Sequence, residues 1–313
     1  MTGTLLRVTR AASPALLLRG GGGGALLIWA LLTPGFLSRL SLLSMLSAIS
    51  FVGCVTVGMG FITISGNIMS LALGATVSAA SVVFMASLGA GLVPAVLIAL
   101  LFGAAITAAQ GVVVGYFRAN AILVSIAALT LILGIAAHLT GGERIYPGGD
   151  GFAFFKGRIW MLPFETWLFA GCALAGQAIL SFTRIGRDII MTGSNREAAR
   201  TVGVDVPIAV IAAYAIAGAT SALAGILLAA RYGSGDMDIG GGYEYRAIAA
   251  VLVGGIAIRG GAGSVLRGCA GVVVITVIEM VLRLRGYGEE WQYLITGLVL
   301  LGVVMAQSEG TRR

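Results

Sequence analysis

The sequence predicts an all-α, polytopic integral membrane protein, and three observations lead there. Of its 313 residues 58% are hydrophobic and 11% charged, where an ordinary soluble domain carries about a quarter charged residues. The mean hydropathy is +1.00. Apolar runs near the roughly 20 residues that a bilayer-spanning helix needs recur along the chain, parted by short clusters of glycine, proline and charge.

About ten such runs are legible. The first, 16–36, follows Arg7, Arg10 and Arg19, which look like the charged start of a signal peptide. It continues through Trp29 and Pro34 without a clear small-residue cleavage site, so it is read as a retained span. Runs 42–64, 67–89, 91–115 and 121–139 follow in close succession, interrupted by Ser65 and Gly66 and by the polar Arg118 and Asn120. After the mixed segment 141–159, "GGERIYPGGDGFAFFKGRI", comes 160–182. A charged loop then precedes 206–230, and the glycine-rich "RYGSGDMDIGGG", 231–242, precedes the short run 243–258. Runs 264–283 and 290–306 close the chain, and 1–313 is read as a single transmembrane domain.

A net charge of +7 and a pI near 9.8 have a membrane explanation. With the N-terminus cytoplasmic and loops taken alternately, twelve of the twenty basic residues fall inside, the sign that the positive-inside rule requires. The loop 183–205 carries four of them, Arg184, Arg187, Arg196 and Arg200, and both termini are placed in the cytoplasm. No contiguous basic groove with interleaved aromatics appears, so a nucleic-acid partner is not expected.

Several chemistries are missing. Cys54, Cys172 and Cys269 stand singly in apolar segments and imply no disulfide or metal framework. The single histidine, His138, excludes a histidine cluster. The single lysine, Lys156, lies in "FFKGRIW", so there is no phosphate loop. The segment "GGIAIRGGAGSVLRG", 254–268, lacks the third glycine of a dinucleotide fingerprint. No catalytic residue, metal site or bound cofactor is expected, and any ATP must be handled by another chain. Ionisable residues deep in the apolar runs are scarce, which disfavours an ion-coupled carrier. Glu279 is expected to pair with Arg283 at i+4.

One charged stretch stands out, "GSNREAARTVG", 193–203. Ser194 and Glu197 have the spacing of a capping box, and Gly203 supplies a stop. A short helix of roughly eight residues, about 12 Å long, is expected over 194–203, too short to hold by itself. Asp205 and Pro207 then begin the next span.

"EAARTVG" is similar to the EAAxxxG coupling motif of ABC-type importer permeases. The longer "GRDIIMTGSNREAARTVGVDV" and "GGYEYRAIAAVLVGGIAIRGGAGSVLRG" resemble segments of the ribose-type sugar permease family, as does "ANAILVSIAAL". The likeness runs from about Phe51 to Met305 and is most specific over 184–268. It implies that 184–205 is a cytoplasmic coupling loop whose helix docks on a separate ATP-binding-cassette subunit, which holds the ATP and Mg. Gly193, Glu197, Ala198, Ala199 and Gly203 are the matched positions. Arg196 and Arg200 would make polar contacts from the exposed face, and the two alanines would allow close approach. The sequence departs from the family at "SGNIMSLALG", 65–74, which has no aspartate, and at Arg246, which replaces an acid while Glu244 remains. Asn120 and Ala121 stand where the family has a proline.

Runs 42–139 and 206–306 look like two four-helix units, as in that family. By analogy with transporters built from repeats, their glycine-interrupted segments point to a central path. Ser65, Asn67, Ser70 and Gln110 are the residues expected to line it. The resemblance further implies a second permease copy or homologue, a solute-binding protein meeting loops 141–159 and 231–242, and the inner membrane as location. The expected cargo is a monosaccharide or similar polar solute; a nucleoside, a branched-chain amino acid or ion-coupled transport are the alternatives.

Overall fold

The computed structural model describes residues 29–147 and 151–309. Run 16–36 therefore lies mostly outside the described residues, which open with a helical turn at Trp29–Leu31. Helix α1, Arg39–Ile64, begins at Ser38, whose hydroxyl accepts the Ser41 amide at 3.2 Å. It stops where Gly66 takes a left-handed φ of +78°. Helix α2, Leu73–Ser87, runs on into a 3-10 turn, Leu88–Ala90. Helices α3, Leu92–Tyr116, and α4, Ala121–Thr140, follow, the second capped by the Asn120 side chain.

A two-residue hairpin, β1 Arg158–Ile159 against β2 Leu162–Pro163, leads into α5, Phe164–Phe182. Helix α6, Arg184–Ser194, leaves α5 at a bend of 73°. The short α7, Arg196–Thr201, then precedes α8, Val206–Tyr232, which Asp205 caps ahead of Pro207. Helices α9, Tyr243–Val253, α10, Val265–Leu284, and α11, Glu289–Glu309, complete the described chain.

Among the described residues six helices are long and apolar enough to cross a membrane, or seven if α5 and α6 are one broken span. This is an all-α polytopic architecture, with the hairpin as the one small sheet among the described residues. Two expected spans are only partly helical. Run 67–89 becomes helical at Leu73, and run 243–258 yields an eleven-residue helix that ends at Val253. The physical reason is local: Ser65, Gly66 and Asn67 break the first, and Gly254, Gly255 and the glycines from 260 to 263 break the second. Hydropathy counts apolar residues and does not register whether they are helical.

Helix α1 is the centre of the molecule. Every residue from Ile49 to Ile64 is buried, against α5, α8, α9 and α10. Helices α3 and α8 approach closely along a stripe of small residues, Gly103, Thr107, Gly111 and Gly115, the usual means of tight helix contact in lipid. A Cβ on Gly218 of α8 would stand on the Gly103 carbonyl oxygen. On the outside, α3 and α4 expose Val93, Leu97, Leu101, Leu123, Leu131 and Leu139. That surface suits lipid tails and would be an aggregation liability in water.

The two interrupted segments meet inside this bundle. Residues 234–242 run beside α2, where the Ser78 hydroxyl accepts the Gly240 amide at 3.0 Å. Gly74 at the start of α2 touches both Gly240 and the Glu244 carboxylate at the start of α9.

Candidate functional site

The short helix α7 sits at the arginine-rich end of the bundle, held by the segments that flank it. Its first link is backbone to backbone. Gly193 lies so close to the end of α1 that a Cβ there would stand on the Ile64 carbonyl oxygen. That same oxygen accepts the Gly261 amide at 2.9 Å. Gly66, Gly193, Gly260 and Gly261 thus form one knot, in which the ends of α1 and α6 and the loop after α9 meet largely backbone to backbone, with the Ser194 hydroxyl beside Gly261. Glycine is required twice over at Gly260 and Gly261, where φ is +85° and +72° and space is lacking.

The second link is a side chain. Arg196 donates from Nη2 to Asn67 Oδ1 at 2.6 Å, a charge-assisted hydrogen bond from the first residue of α7 to the interrupted segment after α1. Asn67 in turn donates to Ser65 Oγ at 2.8 Å, and Ser65 donates to the Ile62 carbonyl at 2.7 Å. Burial lowers the pKa of the Arg196 guanidinium from its usual value, with the neighbouring charge of Arg200 adding to the effect. It remains a cation in any physiological range.

Several expectations at α7 need correction. Ser194 is not the cap: it is the last residue of α6 and donates to the Ile190 carbonyl at 2.9 Å. Asn195 is the cap, its Oδ1 accepting the amides of Glu197 and Ala198 at 3.0 and 3.1 Å. Asn and Ser are near-equal as caps, and the Gly193 contact lets α6 continue one residue further than the sequence suggested. The helix is accordingly Arg196–Thr201, shorter than the expected 194–203. Glu197 does not reach back in a capping box but pairs with Arg200 at 2.8 Å. Arg196 faces its own chain rather than outward, and so does Ala199, which is buried. Gly203 does supply the stop, at φ +85° with open space around it, and Val204 closes the turn onto the Ala199 carbonyl at 3.0 Å.

Of the four residues expected along a path, Ser65 and Asn67 are joined to each other and, through Arg196, to α7. Ser70 is buried and accepts the Ala72 amide at 3.3 Å, stabilising the entry to α2. Gln110 stands apart in α3, beside the contact of Gly111 with Tyr214. It is buried, and neither end of its amide has a hydrogen-bond partner among the described residues. Glu279 pairs with Arg246 across helices at 3.1 Å rather than with Arg283 on its own helix. The two lie on helices packed against each other, α9 and α10, a contact that sequence spacing does not show.

At the opposite end, residues 144 and 145 are joined to residues 235 and 236. Ile145 and Gly235 exchange backbone hydrogen bonds of 2.9 and 2.8 Å, and Arg144 pairs with Asp236 at 2.7 Å.

Known proteins resemble the chain over nearly its whole length. The family model described as branched-chain amino acid transport system / permease component matches residues 41–304. The L-arabinose transport system permease protein AraH of Escherichia coli is 30% identical over 285 residues, covering 88% of this chain and 85% of its own. The ribose import permease protein RbsC of Haemophilus influenzae is 30% identical, covering 91% and 90%. The galactose/methyl galactoside import permease protein MglC of Salmonella typhimurium is 32% identical, covering 88% of each. No solved structure matches.

Proposed function

The chain belongs to the family of branched-chain amino acid transport system permease components, and from that premise we propose that it is the permease subunit of an ATP-driven importer for a monosaccharide. The observation that carries the coupling role is the double attachment of α7. The helix presents Glu197 and Ala198 outward with Arg200 partly exposed beside them, while Gly193 and Arg196 tie it to both interrupted segments of the bundle. A cytoplasmic ATPase that grips α7 moves the ends of α1 and α6 and the 254–263 loop together. Direct backbone contact transmits such a displacement with little slack, because packed interiors are stiff.

The substrate class comes from the relatives. The family's name mentions amino acids, but the three permeases aligned over most of both chains are named for arabinose, ribose and galactose. In this reading ATP and Mg reside on the partner, and the chain itself catalyses no reaction. Ser65, Asn67, Ser70 and Gln110 offer hydrogen bonds along the route; Gln110 is the one of the four whose side chain has no partner among the described residues. The knitted loops 141–147 and 233–236 make one outer face for a solute-binding protein. The arginine-rich end and both termini face the cytoplasm of an inner membrane, and a second permease, identical or homologous, completes the path.

One observation favours a second reading. The Arg246–Glu279 pair and the Glu244 carboxylate, whose Oε2 has no partner among the described residues, are buried in the bundle, where ion-coupled carriers keep such groups. Uptake by the reconstituted transporter separates the two. ATP with collapsed ion gradients should drive uptake of L-arabinose, D-ribose or D-galactose. Uptake of leucine alone, or uptake driven by a proton or sodium gradient without ATP, would overturn the proposal.

A further inference from the structure

A second polar cluster lies far from the α7 junction and takes no part in it. From Ile64 back to Ser47 along α1 is roughly 25 Å at 1.5 Å per residue. Here a cavity of about 380 Å³ is lined by Ser44, Ser47, Arg158, Glu165 and Arg231, with Phe155, Leu227 and Pro163 supplying apolar walls. Its volume is that of a small-molecule site.

The polar groups are fixed in place. Ser47 donates to Glu165 Oε1 at 2.8 Å and accepts Arg231 Nη1 at 3.1 Å, while the same Nη1 meets Oε1 at 3.0 Å. Ser47 and Glu165 are both buried by more than nine-tenths. An ion pair serving structure alone gains most from the two-pronged arrangement, in which both carboxylate oxygens meet the guanidinium fork. This pair is single-pronged. Glu165 Oε2 accepts nothing among the described residues, and Nη1 is the one guanidinium nitrogen engaged. The Arg231 side chain is 46% exposed, so its remaining donors stay within reach of a solute.

Among the described residues this leaves an unengaged carboxylate oxygen beside unengaged guanidinium donors, a pattern that matches neighbouring hydroxyls, each of which donates and accepts at once. The apolar walls suit the C–H face of a sugar ring. An amino acid fits worse, since two arginines against one carboxylate disfavour an ammonium group. We infer that this cavity is a binding site for a neutral polyhydroxylated solute at the end of the permease opposite α7. The inference rests on the permease reading and adds to it a place where the solute is first held.

The test uses the complete transporter in spheroplasts and a membrane-impermeant maleimide. Ser44→Cys places a thiol on the cavity wall at a hydroxyl that bonds only within its own helix. The native cysteines are buried or half-buried, so rates are read against the unsubstituted chain. L-arabinose, D-ribose or D-galactose should slow the modification by 1 + [sugar]/Kd, about threefold at twice the dissociation constant. Leucine should not. Glu165→Gln, which keeps an oxygen for Ser47 and Arg231 to use, should abolish the protection while the complex still purifies intact. Modification that no sugar slows, in cells whose ATP-driven sugar uptake persists, would overturn the site and leave the permease reading standing. A thiol inaccessible from outside would also overturn it, as would protection by leucine. Absence of protection in the Ser44→Cys chain together with absence of ATP-driven sugar uptake by the unsubstituted transporter would overturn both readings.

Discussion

Two residues set the behaviour of the junction at the scale of single side chains. Arg196 and Asn67 are joined by a bond of 2.6 Å between elements far apart in sequence. Arg196→Ala and Asn67→Ala should each raise the ATP hydrolysed per sugar moved, and the double variant should be no worse than either. Because Arg196 is half-buried, the coupling energy from that cycle should be about 1 kcal/mol; additive effects would show that the two residues act separately. Gly193 and Gly203 give a contrasting pair. Gly193→Ala would press a methyl onto the Ile64 carbonyl oxygen, whereas Gly203→Ala meets nothing within 4 Å and bears only a strained φ. Size-exclusion profiles in detergent should show loss of the folded chain for the first. The second should lose about 1–2 kcal/mol and still fold. Gly193 was legible as part of a motif, but its contact with α1 was not, since nothing local in the sequence says which carbonyl will lie against it.

At the scale of elements, α7 illustrates how far local signals reach. A short capped helix before Asp205 was legible from residue types alone, and so was its stop at Gly203. Its cap was displaced by one residue, because Ser194 and Asn195 are equally good caps and the choice was made by the packing of α6 against α1. Asn195→Ala should therefore weaken the helix by about 1 kcal/mol, seen as faster hydrogen exchange at the amides of Glu197 and Ala198. Ser194→Ala should leave those amides unchanged; the reverse ranking would restore the capping box. The interrupted segments tell a similar story. Runs 67–89 and 243–258 both read as spans by hydropathy, yet each is helical over only part of its length. The glycines that break them were visible, but their destinations at Gly193 and Gly74 depend on contacts between distant elements.

At the scale of the whole molecule, the division of labour was the most legible feature. Scarcity of charge placed the chain in the membrane, and the concentration of arginines in 183–205 marked one end of it. The buried polar clusters were not legible. Ser47, Glu165 and Arg231 are brought together from α1, α5 and α8, and no spacing in the sequence connects them. The pairing of Arg246 with Glu279 was missed for the same reason. What unites the molecule in the proposed account is a rigid route from an outward-facing α7 to the segments that interrupt the bundle. Glu197 is the residue to probe, because its side chain is 79% exposed and its bond to Arg200 is a surface pair, worth about 0–1 kcal/mol. Glu197→Arg should reverse the charge presented to a partner without unfolding the chain. The most direct measurement is purification of the tagged protein from its native membranes in mild detergent, with co-purifying proteins identified by mass spectrometry. The account predicts an ATP-binding-cassette ATPase with the unsubstituted chain and its loss from the intact Glu197→Arg variant. Absence of any ATPase from the unsubstituted preparation, or its undiminished presence with the variant, would contradict it.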